Sequence, residues 1–235
     1  MNKSIIEQPI VILGGFLAAT HFYSDLKNAL HVLSGNPVYI CGLNVLEWYR
    51  AINARGWIKI MIKLQRLVEN VVCESKTGKI ILIGHSSGGV ISRLYLSPND
   101  FLGYVFNGKR YVSHLITLGS PHYNLRGTPM RKFVQDKYPD SYFHPDVKYF
   151  SVAGTGVLGN KKGNVLERIS YYSYRCLCGK GNVYGDGLVP INSALLRGSR
   201  QVTLEETGHP FLAARNWYGK PENVSIWWNK FMSDA

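Results

Sequence analysis

No apolar run in this chain of 235 residues approaches the roughly twenty needed to cross a bilayer as a helix. The stretch from Met1 to Pro9 has no unbroken apolar core, since Glu7 and Pro9 interrupt it, so it does not read as a secretory signal. The expected location is intracellular, either cytoplasmic or peripheral to a membrane; a plastid stays open if a transit peptide has been removed from a longer precursor. Cysteine is scarce, with four residues. Cys41 and Cys73 lie in apolar runs and read as small buried hydrophobes. Cys176 and Cys178 are too close for an ordinary disulfide or a C-x-x-C pair, and no second pair completes a zinc site. Free or buried thiols are expected. Acidic side chains are also few: 15 Asp and Glu stand against 27 Lys and Arg, a formal net charge of +12. The cations are scattered, with no basic tract and no nucleic-acid-binding motif. A nucleic-acid partner is therefore not expected. The charge suits either solubility or peripheral contact with an anionic membrane surface.

What the chain does have is a 46% hydrophobic content with 18% charged residues, the balance of one folded domain spanning residues 1–235. Apolar runs at Ile10–Leu13, Val38–Cys41, Ile80–Ile83, Leu115–Leu118, Lys148–Ala153 and Gln201–Leu204 read as buried strands. Helical stretches are expected at His21–Leu33, Trp57–Glu74, Gly88–Leu96 and Asn223–Met232. Buried strands alternating with helices predict an α/β protein, with a mostly parallel central sheet and helices on both faces. Two stretches break the rhythm. Residues 123–147 are basic and aromatic, and residues 156–182 are rich in Gly, Tyr and Lys. Both are expected as lid or loop excursions. In the first, the rings of Phe133, Tyr138, Tyr142 and Phe143 with Arg126, Arg131, Lys132 and Lys137 suit a lipid–water boundary as well as a packed loop.

The chemistry concentrates at Gly84-His85-Ser86-Ser87-Gly88, a G-x-S-x-G sequence between a strand and a helix. On such a turn the serine hydroxyl is exposed and the flanking glycines let strand and helix approach. A serine is a nucleophile at neutral pH only when an imidazole takes its proton and a carboxylate orients that imidazole. Of the seven histidines, His209 alone follows Asp186, and each of the pair sits in a Gly-containing turn. Ser86, Asp186 and His209 are thus the expected nucleophile, acid and base. Asp136, Asp140 and Asp146 compete for the acid but precede the expected strand, and His122 competes for the base but precedes the acid. His85 is expected below the sheet in a structural role. The oxyanion donors should be the N–H groups of Ser87 and of Phe16, the latter after Gly14-Gly15. Leu17, His122 and Leu188 are expected to line the substrate.

Together the residues Gly84–Gly89, Thr117–His122, Gly185–Pro190 and Gly208-His209 resemble the α/β-hydrolase family, in particular its small triacylglycerol-lipase-like and plastid or cyanobacterial esterase and lipase members. One position departs from that pattern: relatives carry His-Gly where this chain has Gly14-Gly15. The resemblance implies an α/β-hydrolase fold with a small lid-like insertion after the strand ending near Gly119. It also implies a serine hydrolase that cleaves carboxylic esters of lipids or other acyl compounds through an acyl-enzyme on Ser86. No metal or organic cofactor is needed for that chemistry. An acyltransferase or thioesterase would use the same triad. A non-catalytic binder of a hydrophobic ligand would share the fold but has no need of all three residues.

Overall fold

Each residue of Ile10–Leu13 (β1) is fully buried, and alternate residues face opposite layers. Val11 and Leu13 join one apolar cluster, while Ile10 and Ile12 join another. The period-two side-chain alternation of a strand does this when both faces are covered. The computed structural model describes residues 7–16, 18–210 and 216–233. Its main sheet contains β1, β2 (Val38–Ile40), β3 (Ile80–His85), β4 (Val112–Leu118), β5 (Lys148–Gly154) and, at the far edge, a later strand. Between them in sequence lie a short antiparallel pair, β6 (Val157–Leu158) and β7 (Tyr184–Gly185). The edge strand is β8 (Arg200–Leu204), and the sheet order is β2-β1-β3-β4-β5-β8, parallel throughout.

Helix α1 (Ser24–Ser34) ends at Gly35 in the left-handed conformation, φ 70°. Helices α2 (Val45–Arg50) and α3 (Ala54–Glu74) are each capped by an asparagine, Asn44 and Asn53, whose side chains accept N–H bonds from the first turn. Next come α4 (Ser87–Tyr95), α5 (Pro129–Lys137), α6 (Val165–Cys178), α7 (Ile191–Ala194) and α8 (Pro221–Met232). One cluster places α3 and α4 against one face of the sheet through Met61, Leu64, Val90 and Leu94. The other places α1 and α8 against the opposite face through Leu26, Leu30, Trp227 and Phe231.

All six sheet strands and the four helices lie where the sequence indicates, with ends moved by a few residues. The two excursions hold more regular structure than their composition suggests. Residues 156–182 contain α6, fourteen residues long, opened by a capping box in which Asn164 and Glu167 exchange bonds and closed by left-handed Gly179. Residues 123–147 contain α5, whose Met130 and Val134 enter the core together with Tyr138 and Phe143. Half of the rings expected at a lipid boundary are therefore packed inside, whereas Phe133 and Tyr142 remain exposed. All four cysteines are free. Cys41 is buried, but Cys73 is exposed on α3, contrary to its reading as a buried hydrophobe.

Close approach of β1, β3 and α4 sets the position of the elbow. A Cβ on Gly88 would lie 2.3 Å from the Gly14 carbonyl oxygen, and one on Gly84 would lie 2.4 Å from the Gly89 Cα. Gly88→Ala must therefore push α4 off β1, and it should lower the free energy of unfolding by about 1–3 kcal/mol. Gly42→Ala, whose nearest atom would be 3.9 Å away, should change it by less than about 0.5 kcal/mol. Urea denaturation of the two variants side by side checks this; equal midpoints would mean that α4 has room to move.

Candidate active site

Ser86 occupies φ 52°, ψ −124°, between the last residue of β3 and the first of α4. A non-glycine residue held at positive φ is strained and persists because its surroundings fix it. Here the Ser86 N–H donates to the Leu118 carbonyl at 2.9 Å, and its own carbonyl accepts from Gly89 N–H at 3.2 Å. Ser87 begins α4, so its N–H is a first-turn amide without a helical partner, available for a negative charge. The turn after β1 abuts the serine. A Cβ on Gly15 would come within 2.8 Å of Ser86 Cβ. Phe16 follows on that turn, half exposed, its ring edge-on to Trp48 with centroids 6.3 Å apart. Leu17 lies outside the described residues.

Asp186 is fully buried, and both of its oxygens are occupied. Oδ1 accepts the backbone N–H groups of Leu188 at 3.0 Å and Val189 at 2.7 Å. Oδ2 accepts His209 Nδ1–H at 2.8 Å and the Tyr218 hydroxyl at 2.9 Å. The His209 backbone N–H also donates to the Asp186 carbonyl. With its Nδ1–H given to the carboxylate, the neutral His209 ring presents Nε2 as an acceptor. That ring lies 5.0 Å, centroid to centroid, from His85, the residue before the serine. Among the described residues the Ser86 hydroxyl has no hydrogen-bond partner. In unliganded sites such contacts are often long and tighten when substrate binds.

Two tyrosines, neither evident in the sequence, hold this arrangement. Tyr218 accepts Gly154 N–H at 2.8 Å and donates to Asp186, and burial with the adjacent carboxylate pushes its hydroxyl pKa far up. Tyr23 accepts Gly15 N–H at 2.7 Å, and its hydroxyl also hydrogen-bonds His85 Nδ1 at 2.8 Å. The Tyr23 ring fills the space beside Gly14, where a Cβ would lie 2.6 Å from it. At the position where the resembling family carries an imidazole, this chain therefore has a glycine and a phenol packed against it.

His122 does not line the substrate. It is fully buried; its Nδ1 faces the Arg93 guanidinium at 3.3 Å and its Nε2 faces Thr117 Oγ1 at 3.0 Å, so both nitrogens are engaged inside the core. Leu188 is half buried against α7, and its contribution to the site is the N–H on Asp186. Asp136 and Asp146 form surface ion pairs with Lys132 and Lys109, and Asp140 accepts the Tyr123 hydroxyl. None of the three meets His209. Arg131, for which the sequence left a lipid boundary and a packed loop open, points inward and donates to Ser87 Oγ at 2.9 Å.

Burial, aided by His209, holds the His85 imidazole well below its ordinary pKa, and burial beside Arg93 does the same for His122. Both rings stay neutral in the folded chain, whereas in the unfolded chain they titrate near pH ~6.5. Below that pH the unfolded state takes up protons that the folded state refuses. Stability should therefore fall with acidification by up to about 1.4 kcal/mol per pH unit for each ring. Urea unfolding between about pH 7.5 and 5 should show this slope, and His122→Gln should make it shallower; a flat profile would mean that the rings titrate as if exposed.

No curated protein matches the chain at the sequence level. Residues 58–138, from within α3 through the elbow to the end of α5, match the PGAP1-like alpha/beta domain family. Solved structures similar to the whole chain include a Lactobacillus plantarum protein assigned provisionally as a cell surface hydrolase. It has a TM-score of 0.58 and 15% identity, with 96% of this chain and 92% of that one covered. The Staphylococcus hyicus lipase gives 0.56 and 12%, with 99% and 97% covered. An α/β-hydrolase enzyme from a lagoon-sediment metagenome gives 0.52 and 14%, with 97% and 92% covered. With a six-stranded parallel sheet, an elbow between β3 and α4 and these structural relatives, the chain is a protein of the α/β-hydrolase fold, PGAP1-like over residues 58–138.

Proposed function

We propose that this protein is a serine hydrolase of carboxylic esters, with lipids or other acyl compounds as its substrate class. The observation that supports the reading is the buried Asp186–His209 pair, whose imidazole lies 5.0 Å from the ring of His85, the residue before a serine at positive φ on a strand-to-helix turn. In this reading Ser86 Oγ attacks the ester carbonyl carbon while His209 Nε2 takes the hydroxyl proton. Asp186 keeps the ring in the required tautomer and stabilises the imidazolium. The carbonyl oxygen becomes an oxyanion, which accepts N–H bonds from Ser87 and Phe16. His209 then returns its proton to the leaving alkoxide, the carbon–oxygen bond breaks, and an acyl-Ser86 ester remains. Water attacks that ester with His209 again as base, which releases the carboxylic acid and restores the serine. The exposed Phe133 and Tyr142 and the net charge of +12 support contact with an anionic lipid surface during this work.

p-Nitrophenyl esters of short, medium and long acyl chains test the reading. Turnover should fall by about 10⁴-fold or more in Ser86→Ala and by a similar factor in Asp186→Asn. Hydrolysis that survives in Ser86→Ala with unchanged rate would reject the assigned nucleophile. Tyr218→Phe removes one donor from Asp186 Oδ2 and leaves the carboxylate a stronger acceptor for His209. It should lower kcat by roughly tenfold and move the acid limb of the kcat/KM profile to higher pH. A loss of rate with no movement of that limb would assign Tyr218 to packing alone.

A further inference from the structure

A pocket of about 150 Å³ opens beside the elbow, lined by Phe16, Trp48, Ile52, Trp57, Ser87 and Arg131, together with Ala51 and Thr128. It adjoins both proposed oxyanion donors, since Phe16 and Ser87 form part of its wall. Its volume matches about five liquid waters at ~30 Å³ each, enough for a small functional group on a short spacer. Five of the eight lining residues are apolar. The exception that matters is Arg131, in the first turn of α5, whose guanidinium donates to Ser87 Oγ at 2.9 Å.

That guanidinium is unusually placed for a cation. Burial pulls its pKa down, and among the described residues no carboxylate forms an ion pair with it. Arginine carries five N–H donors in a planar fork, and the bond to Ser87 is the single side-chain hydrogen bond it makes among the described residues. A half-buried guanidinium without a counter-ion is costly unless an anion joins it. A pocket meant for a plain hydrocarbon chain would have no use for it. A fork facing an apolar recess beside an oxyanion site matches a carboxylate or a phosphate, which it binds with two parallel bonds.

We propose that Arg131 is a specificity-determining residue, and that the preferred substrate is an ester carrying an anionic group, carboxylate or phosphate, close to the scissile bond. The anion would sit against Arg131 in this pocket while the ester carbonyl lies at Ser86, one residue from the Arg131-bound Ser87. The inference rests on the ester-hydrolase reading above.

The kinetic test uses matched pairs. With the charge on the acyl side, p-nitrophenyl hemiadipate is compared with its methyl-capped twin. With the charge on the alcohol side, 3-butyryloxybenzoate is compared with its methyl ester. In at least one pair the anionic member should have a kcat/KM about 10- to 100-fold above its neutral twin, and in Arg131→Gln that ratio should fall towards one. Arg131→Lys, which keeps the charge but not the fork, should fall between. Ratios near one in both pairs for the unaltered protein overturn the proposal while leaving the hydrolase reading intact. The binding test needs no turnover: calorimetry on Ser86→Ala with butyl phosphate, pentanoate and pentanol. Tighter binding of an anion than of pentanol, lost with Arg131→Gln, supports the pocket assignment even if no ester is cleaved; equal weak binding of all three overturns it. The contrast between butyl phosphate and pentanoate tells which anion the site takes.

Discussion

Three separately placed segments meet at the Asp186 carboxylate. Its own loop contributes the N–H groups of Leu188 and Val189, the segment after β8 contributes His209, and the approach to α8 contributes Tyr218. A buried carboxylate persists only when its lone pairs are answered, and bonds to a charged group are worth about 1.5–3 kcal/mol each. Four such donors leave Asp186 little freedom, and through it the orientation of His209 is fixed. The surrounding backbone conforms to the same requirement. Gly119 takes φ +53°, and a Cβ there would lie 2.6 Å from Asp186 Oδ2 and 2.7 Å from the Tyr218 ring.

The two tyrosines act alike on opposite sides of the site. Each accepts one backbone N–H and makes a second bond inward, Tyr218 donating to Asp186 and Tyr23 sharing a hydrogen bond with His85. Each hydroxyl thereby ties a loop to a buried side chain: the end of β5 in one case, the turn after β1 in the other. The Tyr23 ring also occupies the space that a side chain at Gly14 would need.

The central strands β1 and β3 were legible because burial on both faces writes them as apolar runs, the edge strand β8 because buried Val202 and Leu204 alternate with exposed residues, and the elbow because its glycines are forced by contacts under 3 Å. Asp186 and His209 could be chosen from their order in the chain. The excursions misled because composition is a weak guide where local signals are specific. Asn164 and Glu167 three residues apart, with Gly179 at the far end, mark α6 plainly, yet the surrounding Tyr, Lys and Gly residues suggested irregularity. The contacts that Arg131, Tyr23 and Tyr218 make could not be read, since nothing local to them in sequence records which loop they reach. His122 was misplaced for the same reason: it follows β4 as a site residue would, but Arg93 on α4 draws its ring into the interior.

The order in which the strands lie has a consequence for the protein during synthesis. The serine and its strained turn belong to the middle of the sheet, where β3 is flanked by β1 and β4. His209, the proposed base, comes more than a hundred residues later, behind β8, which among the described residues pairs with β5 alone. Five of the six sheet strands and the elbow thus precede both β8 and the proposed base in the chain. Under the proposed reading, a chain that ends or frays before β8 and His209 would hold the elbow serine without its base.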